Sequence, residues 1–245
     1  MKSTKTILIT GAARRVGAVI AEHLHSLGFS VMVHCHTSVN EAQKLVEKLN
    51  ALRACSAKVS VLDLGKVHEL PQLVQQVIDD FGRLDVLINN ASVFYPTDLQ
   101  HAKPSVWDDM MDCNAKAPFF LSQAAYPYLK ETKGQIINIT DVHASRPLKD
   151  YGFYTMSKAL LLHQTKCLAK EWGPDIRVNA IAPGPVLWPE GVNVLDETAK
   201  ARLIEKTALK KQVNPFSIAQ AADFLIQNED MTGKVIEVDA GRYTW

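Results

Sequence analysis

Apolar runs rich in β-branched residues alternate with stretches of helical period along most of the chain. Lys5–Thr10 reads as a strand and Val16–Leu27 as a helix. Ser30–His36 reads as the next strand and Asn40–Arg53 as the next helix. Lys58–Leu64, Leu84–Asn90, Gln135–Thr140, Arg177–Ala182 and Lys234–Asp239 follow as strands, with a helix of good helix formers over Met156–Trp172. Several strands are apolar almost throughout instead of alternating, as a parallel sheet covered on both faces requires. Strands separated by helices imply right-handed βαβ crossovers. The expected fold is α/β, a doubly wound parallel sheet of about seven strands with helices on both faces. No linker, repeat or low-complexity segment interrupts it, so residues 1–245 are expected to form a single domain. The least regular stretch starts at Pro183 and is rich in Pro and Gly, which suggests a substrate lid near residues 184–212.

Composition narrows the function classes. A chain of 245 residues, 47% hydrophobic, supports a sizeable core. Its net charge of +1 gives no electrostatic case for nucleic acid or an anionic membrane as a partner. The short uncharged run before Gly11 fits neither a signal peptide nor a membrane span. Cys35, Cys55, Cys113 and Cys167 are widely spaced and read as reduced cysteines of a cytoplasmic protein, with no metal site. The histidines form no metal-like pair. His23 and His25 are expected to be partly exposed, and His143 lies close enough to Asp141 to line a site.

Three stretches carry the candidate chemistry. Tyr154 and Lys158 are four residues apart, on one face if a helix holds both. A phenol titrates near pH about 10, and a neighbouring ammonium favours its ionised form, drawing the proton donor towards neutral pH. Thr10-Gly11-Ala-Ala-Arg14-Arg15-Val-Gly17 joins the first strand to the first helix. Gly11 permits a tight turn, Gly17 a close helix–sheet approach, and the helix N-terminus offers free N–H groups to a diphosphate. The same residues also fit a plain βα turn. After the second strand, where an NAD site places an acid, the chain has His36, Thr37 and Ser38. With Arg14 nearby, they suit a 2′-phosphate and so NADP(H). Thr37 and Ser38 could equally cap the next helix.

With Thr10-Gly11, Asn89-Asn90-Ala91, Tyr154-x-x-x-Lys158 and Pro183-Gly184 in order, the chain resembles the short-chain dehydrogenase/reductase superfamily over essentially its whole length. The resemblance implies a Rossmann-type sheet and a nicotinamide cofactor. It implies that Tyr154 donates a proton, and that Lys158 binds the nicotinamide ribose and lowers the tyrosine pKa. It matches Asn114 to the family's active-site asparagine, Asp63 to the acid that bonds the adenine, and Asn90 to the residue that supports the cofactor site. Pro183 and Gly184 belong to the cofactor-binding set.

Two departures from the general pattern are informative. Arg15 stands where the family has Gly, and a guanidinium is a planar donor fork for a flat ligand. Asp141 stands where the family has Ser, and an ionised carboxylate cannot donate to a ketone oxygen. Both departures, with Ser92-Val-Phe94-Tyr-Pro, look like pteridine reductases and the related dihydromonapterin reductases. That likeness implies that Phe94 stacks on the pterin and Ser92 bonds the pterin and a cofactor phosphate. It implies that Arg15 holds the pterin oxygen and a ring nitrogen, and that Tyr151 orients Asp141. Simpler roles stay open: core packing for Phe94, diphosphate binding alone for Arg15, and helix capping or an ion pair for Asp141.

The expected activity is NADPH-dependent reduction of a dihydropterin of the dihydrobiopterin, dihydromonapterin or dihydrofolate type to the tetrahydro form. One alternative is a general carbonyl or 3-oxoacyl reductase, and another is a non-catalytic NADP(H) sensor. The family implies a homotetramer. Pro118–Tyr128, the helix after Tyr154 and the aromatic C-terminus, with Trp245, are the expected interface. Leu187, Trp188 and Val192 are expected to meet the pterin tail.

Overall fold

Residues 4–188, 190–191 and 194–243 are described by a computed structural model; Val192 and Trp245 lie outside them. The apolar runs become β1 (Thr6–Ile9), β2 (Ser30–Cys35), β3 (Ala57–Val61), β4 (Val86–Asn89), β5 (Gln135–Ile139), β6 (Arg177–Pro183) and β7 (Val235–Val238). Their order in the sheet is β3-β2-β1-β4-β5-β6-β7, and every pairing is parallel. The chain reverses direction across the sheet between β1 and β4. In a doubly wound sheet, that switch point opens a crevice at the carboxyl ends of the strands.

The helices are α1 (Arg15–Ser26), α2 (Val39–Leu52), α3 (Leu70–Phe81), α4 (Pro104–Met111), α5 (Ala117–Thr132), α6 (Gly152–Trp172), α7 (Glu197–Glu205) and α8 (Pro215–Gln227). Period 2 is hidden inside the apolar strands but decides which core each residue enters. Ile7, Ile9, Val31 and Val33 pack with α1, α2 and α8, while Leu8, Met32, Leu87 and Ile136 pack with α3, α5 and α6 on the other face. No helix among the described residues is long and apolar enough to cross a membrane.

Three departures from the expected elements have local causes. β3 stops at Val61, not Leu64, because the Leu62 carbonyl accepts a side-chain hydrogen bond from His34 and Asp63 Oδ1 turns the chain by accepting the Gly65 N–H. α6 begins at Gly152, four residues before Met156, so Tyr154 already lies in its first turn. His25 is buried, not partly exposed, and its Nε2 lies 2.6 Å from Ser56 Oγ. Between α4 and α5 the helix widens into a π-turn, Asp112–Lys116, for which helical period gives no signal.

Gly17 lets α1 meet the first loop. A Cβ there would stand 2.6 Å from both the Gly11 carbonyl oxygen and Asn90 Nδ2. We expect Gly17→Ala to lower stability by about 1–3 kcal/mol through overpacking, read from the denaturant midpoint. An unchanged midpoint would show that the α1 contact gives way without cost.

Candidate active site

The carboxyl ends of β1, β2, β4, β5 and β6 open into a cleft of about 1080 Å³. Its floor at one end is the turn after β1. Gly11 adopts φ +60°, and a Cβ there would lie 2.9 Å from Ala91 Cα. The turn is held from both sides. Asn90 Nδ2 donates to the carbonyls of Thr10 (2.9 Å) and Gly11 (3.0 Å), while the N–H groups of Asn90 and Ala91 donate to Thr10 Oγ1. On the β2 side, the Gly11 N–H donates to His34 Nδ1 at 3.2 Å and the Ala12 N–H to the His34 carbonyl at 2.9 Å.

Arg15 takes the left-handed backbone that glycine would take without cost, at φ +57°. For a residue with a Cβ this costs roughly 1–2 kcal/mol. Its guanidinium donates to Glu190 Oε1 at 2.7 Å and to the carbonyls of Trp188 at 3.1 Å and Leu187 at 3.5 Å. Arg14 reaches the other oxygen of Glu190 at 3.5 Å. The segment after β6 is thus tied to the turn after β1. Glu190 lies in no motif, and only the folded chain brings it to Arg15.

At the second-strand end, His36, Thr37 and Ser38 line the cleft, as does Asp63. Ser38 occupies the N-cap position of α2 but makes no side-chain bond to it. Pro183 and Gly184 line the cleft opposite, and a Cβ on Gly184 would stand 2.6 Å from Asp239 Cα.

β5 and α6 bring the acid/base groups together. The Tyr154 hydroxyl donates to Asp141 Oδ2 at 2.7 Å, and Asp141 Oδ1 accepts the His143 N–H at 2.7 Å. Asp141 therefore does cap a helical turn, Val142–Ala144, while its other oxygen serves the tyrosine. Lys158 is buried and donates to the Ile139 carbonyl at 2.9 Å, with Nζ 5.9 Å from the Tyr154 ring centre. Phe94 stacks face to face on Tyr151 (4.5 Å, 10°) and meets Tyr154 edge-on (4.7 Å, 75°). Ser92 and Arg15 line the same cleft as Phe94 and Asp141.

Asn114 sits elsewhere. It is fully buried in the π-turn and is not among the described residues that line the cleft. Its side chain accepts from the Val93 N–H at 2.8 Å and donates to the Val93 carbonyl and Ser157 Oγ at 3.0 Å each. It holds the strand-to-loop turn that carries Ser92 and Phe94. Tyr243 packs within its own chain: it meets the His143 ring edge-on, and the Arg146 guanidinium lies over it at 4.5 Å.

The electrostatics correct one expectation. Burial and the adjoining Asp141 carboxylate push the Tyr154 phenol well above its ordinary range. The phenol is held protonated as a donor to the carboxylate. Lys158 moves the other way: burial lowers it to about 8, with Asp141 and Cys113 opposing the shift.

Fold and cleft together define a Rossmann-type oxidoreductase with its Tyr-x-x-x-Lys pair on the helix after β5. Residues 11–243 match the family model described as enoyl-(acyl carrier protein) reductase. The chain belongs to the short-chain dehydrogenase/reductase family. It is 32% identical over 243 residues to 3-oxoacyl-[acyl-carrier-protein] reductase FabG of Staphylococcus epidermidis, a match covering 98% of this chain and 99% of that protein. It is also 32% identical over 276 residues to pteridine reductase 1 of Leishmania tarentolae, covering 96% and 94%. FolM alternative dihydrofolate reductase 1 of Brucella suis, solved in complex with NADP, superimposes with a TM-score of 0.93 at 30% identity, covering 100% of this chain and 97% of that one.

Lys158 carries its charge below about pH 8 and loses it above. In the free enzyme's pH profile, kcat/KM should therefore fall as pH rises through about 8, not through the ordinary lysine range. A profile flat past that point would mean that the Lys158 charge is not needed.

Proposed function

We propose that this protein is an NADPH-dependent pteridine reductase, reducing a dihydropterin of the dihydrobiopterin, dihydromonapterin or dihydrofolate type to its tetrahydro form. One observation carries the reading: the Tyr154 hydroxyl is bonded to a carboxylate, Asp141, at 2.7 Å. A serine at that place would donate to a ketone oxygen, whereas a carboxylate can only accept until it takes a proton. A phenol–carboxylate pair suits a substrate whose ring nitrogen must gain a proton.

The cleft residues fit NADP(H). The uncapped Ser38, the exposed His36 and Thr37, and Arg14 form a polar, partly cationic corner where an NAD site would carry an acid. Gly11, Arg15, Gly17, Asn90 and Ser92 would surround the diphosphate. Asp63 would take the adenine, Tyr154 and Lys158 the nicotinamide ribose, and Pro183 and Gly184 the far wall. When bound, the cofactor supplies the hydride that the carbon of a ring C=N bond accepts.

The chain's own residues supply the proton and the platform. Asp141, once protonated, passes a proton to the adjacent ring nitrogen, directly or through water. Tyr154 keeps the neighbouring proton in place, and Lys158 offsets the charge left on the pair. For a fully oxidised pterin, Tyr154 is the donor. Phe94 is the aromatic platform, and Arg15 and Ser92 hold the polar edge. Asn114 acts as a positioning residue through Val93. Segment 184–212 is the lid, tied to Arg15 through Leu187, Trp188 and Glu190.

General ketone reduction is the second reading, favoured by the similarity to the 3-oxoacyl reductase of S. epidermidis. Neither Thr140 nor Ser145 replaces the missing serine in that role: Thr140 Oγ1 is bonded to the Ile181 carbonyl, and Ser145 is not among the described residues lining the cleft.

A homotetramer is part of the proposal. Trp107, Phe120, Met156 and Leu160 are exposed on α4, α5 and α6, and Phe216 and Phe224 are exposed on α8. These two apolar faces suit two different contacts between copies of the chain.

Asp141→Asn should lower turnover of a dihydropterin at least about tenfold and leave the NADPH dissociation constant within about threefold, since the proton step alone is removed. An unchanged rate takes Asp141 out of the mechanism. NADH should give a lower kcat/KM than NADPH with the wild-type enzyme, and equal or better use of NADH would overturn the 2′-phosphate assignment.

A further inference from the structure

We propose that His34 is a positioning residue that joins the three chain segments of the adenosine half of the cofactor site through a single imidazole. The inference rests on the NADP(H) reading given above but not on the identity of the reduced substrate.

The sheet's ladder ends just below His34 on the β1 side and just above it on the β3 side. The β1–β2 ladder ends at the pair Ile9–Val33, and the β2–β3 ladder ends at Cys35–Val61. The loops that follow are the ones a dinucleotide meets, and past the ladders a backbone bond continues on each side, from the Ala12 N–H to the His34 carbonyl and from the Leu62 N–H to the Cys35 carbonyl. The His34 side chain adds a bond on each side. Its Nδ1 accepts the Gly11 N–H at 3.2 Å, and its Nε2 lies 3.0 Å from the Leu62 carbonyl oxygen. A carbonyl cannot donate, so Nε2 must carry the proton and Nδ1 must not. The two contacts together select one neutral tautomer. The backbone carbonyl of the same residue accepts the Ala12 N–H at 2.9 Å.

Each tether leads to a different part of the site. Gly11 opens the diphosphate turn. Leu62 precedes Asp63 on the adenine side. His34 itself stands two to four residues before His36, Thr37 and Ser38 at the 2′-phosphate corner. The residue has only 1% of its surface exposed, so the imidazole makes these bonds away from bulk water. Burial also lowers the imidazole pKa to about 4, which keeps it in the accepting form at working pH. A leucine would leave the Gly11 N–H and the Leu62 carbonyl without this partner. An asparagine keeps an acceptor near the position of Nδ1 but is too short to reach Leu62.

The test uses full-length His34→Leu and His34→Asn beside wild type. Dissociation constants are measured for NADPH and for adenosine 2′,5′-bisphosphate, which presents only the adenosine half. Thermal unfolding and kcat at saturating NADPH are measured in parallel. We expect His34→Leu to weaken both ligands about tenfold and His34→Asn about threefold, with kcat at saturation within about threefold of wild type, because lost hydrogen bonds to the loops cost binding and leave the acid/base groups untouched. Folded His34→Leu that binds both ligands as tightly as wild type would overturn the proposal. So would a fall in kcat with unchanged affinities. Should His34→Leu not fold, His34→Asn decides, and unchanged affinity for both ligands counts against the proposal. Wild-type protein that binds neither ligand would overturn the cofactor reading, and this inference with it.

Discussion

A buried phenol and a carboxylate, joined at 2.7 Å, are the contact on which the rest of the cleft depends. Asp141 is held there by its other oxygen, which caps the turn after β5, and Tyr154 by the first turn of α6. Lys158 is anchored to the Ile139 carbonyl, the last residue of β5. One strand end therefore fixes acid, phenol and ammonium at once. The pair also inverts the simplest view of a Tyr-x-x-x-Lys helix. Burial first, and then the Asp141 carboxylate, hold the phenol well above its ordinary range, so it stays protonated.

The opposite half of the cleft is built on backbone, not charge. Asn90 and His34 grip the turn after β1 from two sides, and Gly11 and Gly17 allow approaches that any Cβ would block. Arg15 is the exception. It accepts a left-handed backbone where the family has glycine, and in return its guanidinium reaches across to Leu187, Trp188 and Glu190. Strain kept at a functional site is expected where the surrounding structure over-determines it.

Much of this was legible in the sequence, for reasons that differ by element. The strands were readable because a parallel sheet covered on both faces requires unbroken apolar runs. Tyr154 and Lys158 were readable because helical spacing puts them on one face. Asp141 and Arg15 stood out as departures from a known pattern. The shift at Tyr154 was not readable, because it comes from burial in the folded chain and from a carboxylate thirteen positions upstream that meets it only through the β5–α6 junction. His34 looked like one more residue of an apolar strand, since nothing in a linear pattern shows a side chain extending the hydrogen bonding past the strand end. Glu190 could not be found at all without the fold that brings the segment after β6 to the turn after β1.

The most direct test of the central claim is a comparison of initial rates of NADPH oxidation by the wild-type enzyme. Dihydrobiopterin, dihydromonapterin and dihydrofolate would each be offered separately, alongside a simple ketone and a 3-oxoacyl thioester. The Asp141–Tyr154 pair predicts turnover of at least one dihydropterin and none of either carbonyl compound. Turnover of the carbonyl compounds alone would contradict it and make the enzyme a carbonyl reductase that works without the family's serine.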